Sequence, residues 1–118
     1  MEEKTVKNKS YAFALRIIKV YKFLSSEQSE FVLSKQLLRS GTAIGALVRE
    51  AEHAESKDDF IHKMSISLKE ANETEYWLML LHDSEYFDEK LFHSIVSDCQ
   101  ELIKMLVSII KTSKSKLK

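Results

Sequence analysis

A chain of 118 residues with no proline and only two glycines has few ways to turn. β-Sandwiches and barrels need many tight turns, and tight turns draw on glycine and proline. Long helices with few joints are what remain. Apolar residues make up 44% of the chain, enough for a core, so a largely disordered polymer is excluded. The length suits one domain spanning residues 1–118, with no compositional break or internal repeat to divide it.

Hydrophobic spacing resolves the chain into four helices. The first covers residues 10–24 and carries two apolar stripes, Tyr11, Ala14, Ile18, Tyr21 and Phe13, Ile17, Val20, Leu24. Ser25 and Gln28 match a capping box and start a second helix over 26–54, with Leu33, Leu37, Ile44, Leu47, Ala51 and Ala54 inward. Ser56 caps a third helix over 57–82, where Asp58 and Asp59 suit the positive end of the helix dipole. Asp88 caps a fourth over 89–111, inward at Leu91, Ile95, Cys99, Leu102, Leu106 and Ile109, and a Lys/Ser-rich tail over 112–118 is expected to fray. Short joints make sequence neighbours antiparallel, so the expected fold is an all-α, up-down-up-down four-helix bundle.

Gly41 and Gly45 stand inside the second helix, where each costs about 1 kcal/mol relative to Ala. A hairpin folded about Ser56 sets Gly41 opposite Ala71 and Gly45 opposite Ser67, which predicts close backbone approach of the second and third helices. The alternative, a glycine-lined ligand gap, lacks phosphate-loop and dinucleotide spacing. The same register sets Arg39 opposite Glu73, with Glu70 one turn away. An Arg–Glu pair that fixes the register is expected there, with Arg39 also able to reach phosphate.

The run Leu37-Leu38-Arg39-Ser40-Gly41-Thr42-Ala43-Ile44-Gly45-Ala46, with Lys57-Asp58-Asp59-Phe60-Ile61-His62-Lys63 and Lys69-Glu70-Ala71-Asn72-Glu73-Thr74-Glu75-Tyr76-Trp77-Leu78, resembles the 23S rRNA intervening-sequence (S23-type) four-helix bundle proteins. Tyr11-Ala12-Phe13-Ala14 and Tyr21-Lys22-Phe23-Leu24 fit the same family. The resemblance implies a bacterial, cytoplasmic bundle that forms a homopentameric ring. It marks Arg39, Gly41, Gly45, Glu70, Ala71, Glu73 and Trp77 as the structural motif. A related branch, the accessory variability protein of diversity-generating retroelements, binds nucleic acid and a reverse transcriptase. RNA, DNA or such a protein are therefore the partners the resemblance suggests.

Charge is uneven although it sums to zero. Residues 1–24 carry a net +4, residues 25–49 +1, residues 50–101 −10 and residues 102–118 +5. In an up-down-up-down bundle the termini and the second joint share one end. Lys4, Lys7, Lys9, Lys114, Lys116 and Lys118 then lie near Glu50, Glu52, Glu55, Asp58 and Asp59, able to neutralise within a subunit or to pair neighbours in a ring. A basic nucleic-acid surface would draw on Arg16, Lys19, Lys22, Lys35, Arg39 and Arg49 from the first two helices. Ordinary solvated helix faces explain the same charges, and no recognition-helix, zinc-finger or RNP motif is present.

Enzyme chemistry has little to stand on. Glu50-x-x-His53 and Asp59-x-x-His62 echo di-iron bundle spacing, but two further carboxylates at that level are missing, so no metal or other cofactor is expected. His82 and His93 belong to no motif. Cys99, the only cysteine, falls on an apolar face, rules out an intramolecular disulfide and suits a reducing compartment. Of Tyr76 and Trp77, one is expected to pack inward and the other to anchor an interface. The N-terminal residues lack a signal peptide's apolar stretch, and no membrane span is expected. The expected function is a non-enzymatic homo-oligomeric scaffold for nucleic acid or a nucleic-acid-processing protein. The alternatives are a purely structural protein–protein module and, from a different class, a metal-dependent bundle enzyme.

Overall fold

The computed structural model describes residues 5–116, which form α1 (Val6–Ser26), α2 (Leu33–Glu52), α3 (Lys57–Asp83) and α4 (Glu89–Ser115). Each helix packs on its sequence neighbours, and α4 closes back onto α1. The result is an antiparallel, up-down-up-down bundle of 49 × 27 × 23 Å. Ile17 and Leu24 of α1, Leu37 and Ile44 of α2, Leu78 and Leu81 of α3, and Ile95 and Leu106 of α4 are fully buried along its axis. On α1 only the stripe Phe13, Ile17, Val20, Leu24 goes inward, while Tyr11 stays exposed and Ala14, Ile18 and Tyr21 are half-buried.

Side-chain caps set three of the helix starts. Ser56 accepts the Asp59 N–H at 3.0 Å, and Asp88 accepts the Leu91 N–H at 2.7 Å. Thr5 does the same for Asn8 at 3.1 Å, so α1 begins four residues before its apolar pattern does. At the other terminus, α4 continues through residues 112–115, where a frayed tail was expected. Lys4 and Lys118 lie outside the described residues.

The joint between α1 and α2 departs most from the sequence expectation. Ser25 and Ser26 belong to α1, where Ser25 donates its hydroxyl to the Tyr21 carbonyl instead of capping a new helix. Ser29 takes a left-handed backbone (φ 51°) and breaks the helical run. Glu30 then turns inward, and its carboxylate accepts the N–H groups of Val32, Leu33 and Ser34 at 3.2, 3.1 and 2.7 Å. Those are N–H groups that a helix start leaves without partners, so the carboxylate does the work of a cap. Burial alone would raise the Glu30 pKa, but these donors outweigh it and hold the carboxyl below its ordinary value. α2 therefore starts at Leu33, seven residues later than the capping box suggests, and ends at Glu52.

The glycines also face a different neighbour. A Cβ on Gly41 would lie 2.8 Å from Ile17 Cγ1, and one on Gly45 would lie 3.3 Å from the Ser10 carbonyl oxygen. Both contacts are on α1, so the glycines bring α1 and α2 together, not α2 and α3. The α2–α3 seam is polar inside: the Ser67 hydroxyl donates to the Ile44 carbonyl at 2.9 Å, and the Ser40 and Thr74 hydroxyls lie 3.0 Å apart. Ala71 is fully buried, and its carbonyl accepts the Cys99 thiol at 3.4 Å. Burial pushes the Cys99 thiol up to about 12, which makes it a core residue and not a nucleophile.

Candidate nucleic-acid interface

Residues 5–26 and 31–49 contain Lys and Arg but no Asp or Glu, so α1 and most of α2 bring cations alone to the surface they share. Packing then divides these cations into two groups. Arg16 reaches α4, where it donates to Asp98 at 2.7 Å and to Ser94 at 2.6 Å. Lys9 pairs with Glu101, also on α4, and Lys7 with Glu52 at 3.1 Å. Arg39 bonds Glu70 at 3.2 Å and Glu73, and Glu73 also accepts the Trp77 indole N–H at 2.9 Å. The Trp77 hydrogen bond first, and Arg39 beside it, hold the Glu73 carboxyl below its ordinary value against the opposing effect of burial. Arg39, Glu70, Glu73 and Trp77 are thus one network across the α2–α3 seam.

Lys19, Lys22, Lys35 and Arg49 are exposed and make no ion pair with any described residue. Lys19 and Lys22 continue the outward stripe begun by Tyr11 and Leu15, at spacings of four, four and three residues. Tyr11 is 59% exposed and Leu15 49%. Between α1 and α2 runs a groove of about 270 Å³ whose lining includes Ala14, Gly45 and Ala46 with Tyr11, Thr42 and Arg49. A second hollow, about 390 Å³, lies beside it and shares Lys7, Tyr11 and Arg49. Of the six cations the sequence nominates, Lys19, Lys22, Lys35 and Arg49 have no ion-pair partner among the described residues, while Arg16 and Arg39 are paired with carboxylates of neighbouring helices.

The two Glu/Asp-x-x-His runs, Glu50 with His53 and Asp59 with His62, lie at the α2–α3 joint without forming a metal-ligand group among the described residues. Glu50, His53, Glu55 and Asp59 line an open space at the α2–α3 joint, but Glu50 takes Lys63 at 3.0 Å and Asp59 accepts the Glu55 N–H at 3.2 Å. His62 is not part of that lining. Among the described residues no group of three His, Cys, Asp or Glu side chains could hold a metal ion.

Two features escaped the sequence reading. At the α3–α4 joint His82 stacks on Phe92, with ring centroids 3.9 Å apart, and contacts Glu89 at 2.6 Å and Asp83 at 3.1 Å. Its seven-residue separation from Glu89 spans the joint, so no helical periodicity flags the pair. Phe31 and Val32, read as helical, instead form an exposed apolar tip on the joint that Glu30 braces. Trp77 is half-buried, and Tyr76, edge-on to it at 5.2 Å, is exposed beside Met79 on α3.

A family model for 23S rRNA-intervening sequence proteins matches residues 2–108. The chain belongs to that family. Among solved structures, a crystal structure of a protein with unknown function from the S23 ribosomal protein family of Bacteroides thetaiotaomicron VPI-5482 is similar to it. The two are 60% identical over 90% of this chain and 95% of the other, with a TM-score of 0.89. No curated protein matches. In the structure of this family member, Arg39, Glu70, Glu73 and Trp77 lie in the α2–α3 network, and Gly41 and Gly45 lie at the α1–α2 contact. Among the described residues, no helix is long and apolar enough to cross a membrane.

Proposed function

We propose that this chain is a non-enzymatic scaffold that assembles into a homo-oligomeric ring, a pentamer by its family resemblance, and binds nucleic acid on the α1–α2 wall. One observation carries the nucleic-acid reading: Lys19, Lys22, Lys35 and Arg49 pair with no described residue, on the two helices whose facing stretches bear no carboxylate. A polyanion gains most from cations that the fold has not already neutralised. Exposed Tyr76 and Met79 on α3, away from that wall, supply apolar surface of the kind subunit contacts bury.

The test is a titration of the purified protein into labelled structured RNA and duplex DNA, at low and near-physiological salt, with its mass measured by light scattering. Saturable binding that weakens steeply with salt is expected, and glutamine at all four positions lowers the salt slope by about three to four. No binding at low salt overturns the nucleic-acid reading. A monomer at micromolar concentration overturns the assembly. A second reading, a protein–protein module that docks an enzyme such as a reverse transcriptase, is favoured by the exposed Phe31–Val32 tip and the zero net charge.

A further inference from the structure

We infer that the groove between α1 and α2 is a seat for single-stranded nucleic acid, with a base laid against the Tyr11 ring and the phosphate beside it held by Arg49. The inference rests on the nucleic-acid reading above and adds which form of the polymer is read, and where.

The groove owes its existence to small residues. Gly45 lets α2 approach Ser10 so closely that a Cβ would already be 3.3 Å from that residue's carbonyl oxygen and hydroxyl. Ala14 and Ala46 fill little of the space above. What is left is a trough of about 270 Å³ with an apolar floor. Tyr11 lines both this trough and the adjoining hollow, so its ring, 59% exposed, stands at their shared edge. Arg49 lines both as well and is free of any carboxylate partner among the described residues. No Asp or Glu lines either space.

An aromatic face, a guanidinium and small apolar floor residues, with no carboxylate, suit a planar ligand that carries negative charge. Stacking on an aromatic side chain is open to every base, and it is how single strands are held without sequence reading. A base paired within a duplex is stacked between its neighbours and cannot lie on Tyr11, so the groove discriminates by strandedness. Lys22 and Lys19 continue the outward stripe of α1 beyond Tyr11 and Leu15, where the following phosphates would run.

The experiment measures the affinity of the full chain for a labelled 12-nucleotide RNA, the DNA of the same sequence and the corresponding RNA duplex, on the order of ten nucleotides being a typical single-strand site. At least one single strand should bind about tenfold or more tightly than the duplex. Tyr11→Ala should weaken single-strand binding about tenfold and Tyr11→Phe should restore it, because stacking needs the ring and not the hydroxyl. Ala46→Leu, at an exposed position that fills the trough without touching the core, should weaken it too. Equal binding of strand and duplex with Tyr11→Ala silent overturns the groove but leaves a phosphate-binding wall. Absence of binding by every probe at low salt overturns the nucleic-acid reading itself. Circular dichroism of each variant checks that the bundle is intact.

Discussion

The two seams of α2 are built by opposite means. Towards α1, α2 presents glycines, and contact is steric: Gly41 against Ile17 and Gly45 against Ser10. Towards α3 it presents hydroxyls and a guanidinium, and contact is polar: Ser40 with Thr74, the Ile44 carbonyl with Ser67, Arg39 with Glu70 and Glu73. The steric seam uses few of its charges, so those on its rim remain for a partner. The polar seam consumes its charges and offers little. Which cation is left without a partner among the described residues therefore depends less on its exposure than on which seam its helix face borders.

The steric seam should break most sharply at Gly41. An added methyl would lie 2.8 and 2.9 Å from two carbons of Ile17, which is fully buried and branched at Cβ. Overpacking of this kind costs about 1–3 kcal/mol, and the gain in helix propensity returns about 1. Gly41→Ala is expected to lose up to about 2 kcal/mol in urea denaturation. Gly45→Ala, at a looser 3.3 Å, should change stability by less than about 0.5 kcal/mol because propensity offsets crowding. Equal losses at the two sites would mean the seam is tight along its whole length.

The polar seam should fail in a different manner. The Thr74 hydroxyl donates to the Glu70 carbonyl at 2.7 Å and sits 3.0 Å from the Ser40 hydroxyl, with both side chains fully buried. Thr74→Val leaves Ser40 with a single long contact, 3.5 Å to the Leu37 carbonyl. A loss of about 1 kcal/mol follows from the stranded hydroxyl, and adding Ser40→Ala should return much of it. A double variant that loses the sum of the two single changes would show the hydroxyls to be uncoupled.

Most of the bundle was legible because helix caps and buried stripes are local signals. Ser56, Asp88 and the stripe Phe13, Ile17, Val20, Leu24 illustrate this. The register across the α2–α3 hairpin was legible too, since Arg39 meets Glu73 where folding about Ser56 sets it. The start of α2 was not, because Glu30 is an uncommon cap and its inward turn depends on the left-handed Ser29. Nor was the neighbour of the glycines, because a face without side chains has no polarity to show which helix it meets. The candidate interface was half legible: the hairpin register already set Glu73 and Glu70 beside Arg39, whereas charge nominated Arg16 and only packing shows that Asp98 occupies it.

Arg39 and Arg49 put that distinction to a direct test. Arg39 is half-exposed, so Arg39→Gln should cost about 0.5 kcal/mol of stability, as solvent-screened pairs do. Its effect on RNA affinity should be negligible. Arg49→Gln should leave stability unchanged and lower the salt slope of RNA binding by about one. The reverse pattern would show that the α2–α3 network opens to release its arginine to the ligand.

A smaller effect separates charges that are permanently consumed from one consumed only in part of the pH range. His82 lies in the last turn of α3, between Glu89 across the joint and Asp83 beside it, with Glu89 also 3.1 Å from His93. The Glu89 contact chiefly, and Asp83 with it, raise the His82 pKa above its ordinary value against the opposing effect of desolvation, while His82 lowers that of Glu89. The folded state therefore binds the His82 proton more tightly than the unfolded chain does. The stability gained is full below the ordinary imidazole value, near pH 6.5, and is lost as pH rises through the higher folded value. Thermal midpoints followed from about pH 6 to 8 should fall in the native chain and fall less in Glu89→Gln, where the main partner has no charge. His82→Gln should flatten the profile further, because Gln does not titrate. Parallel profiles for all three chains would mean that water screens the joint and that the His82 contacts add nothing to stability.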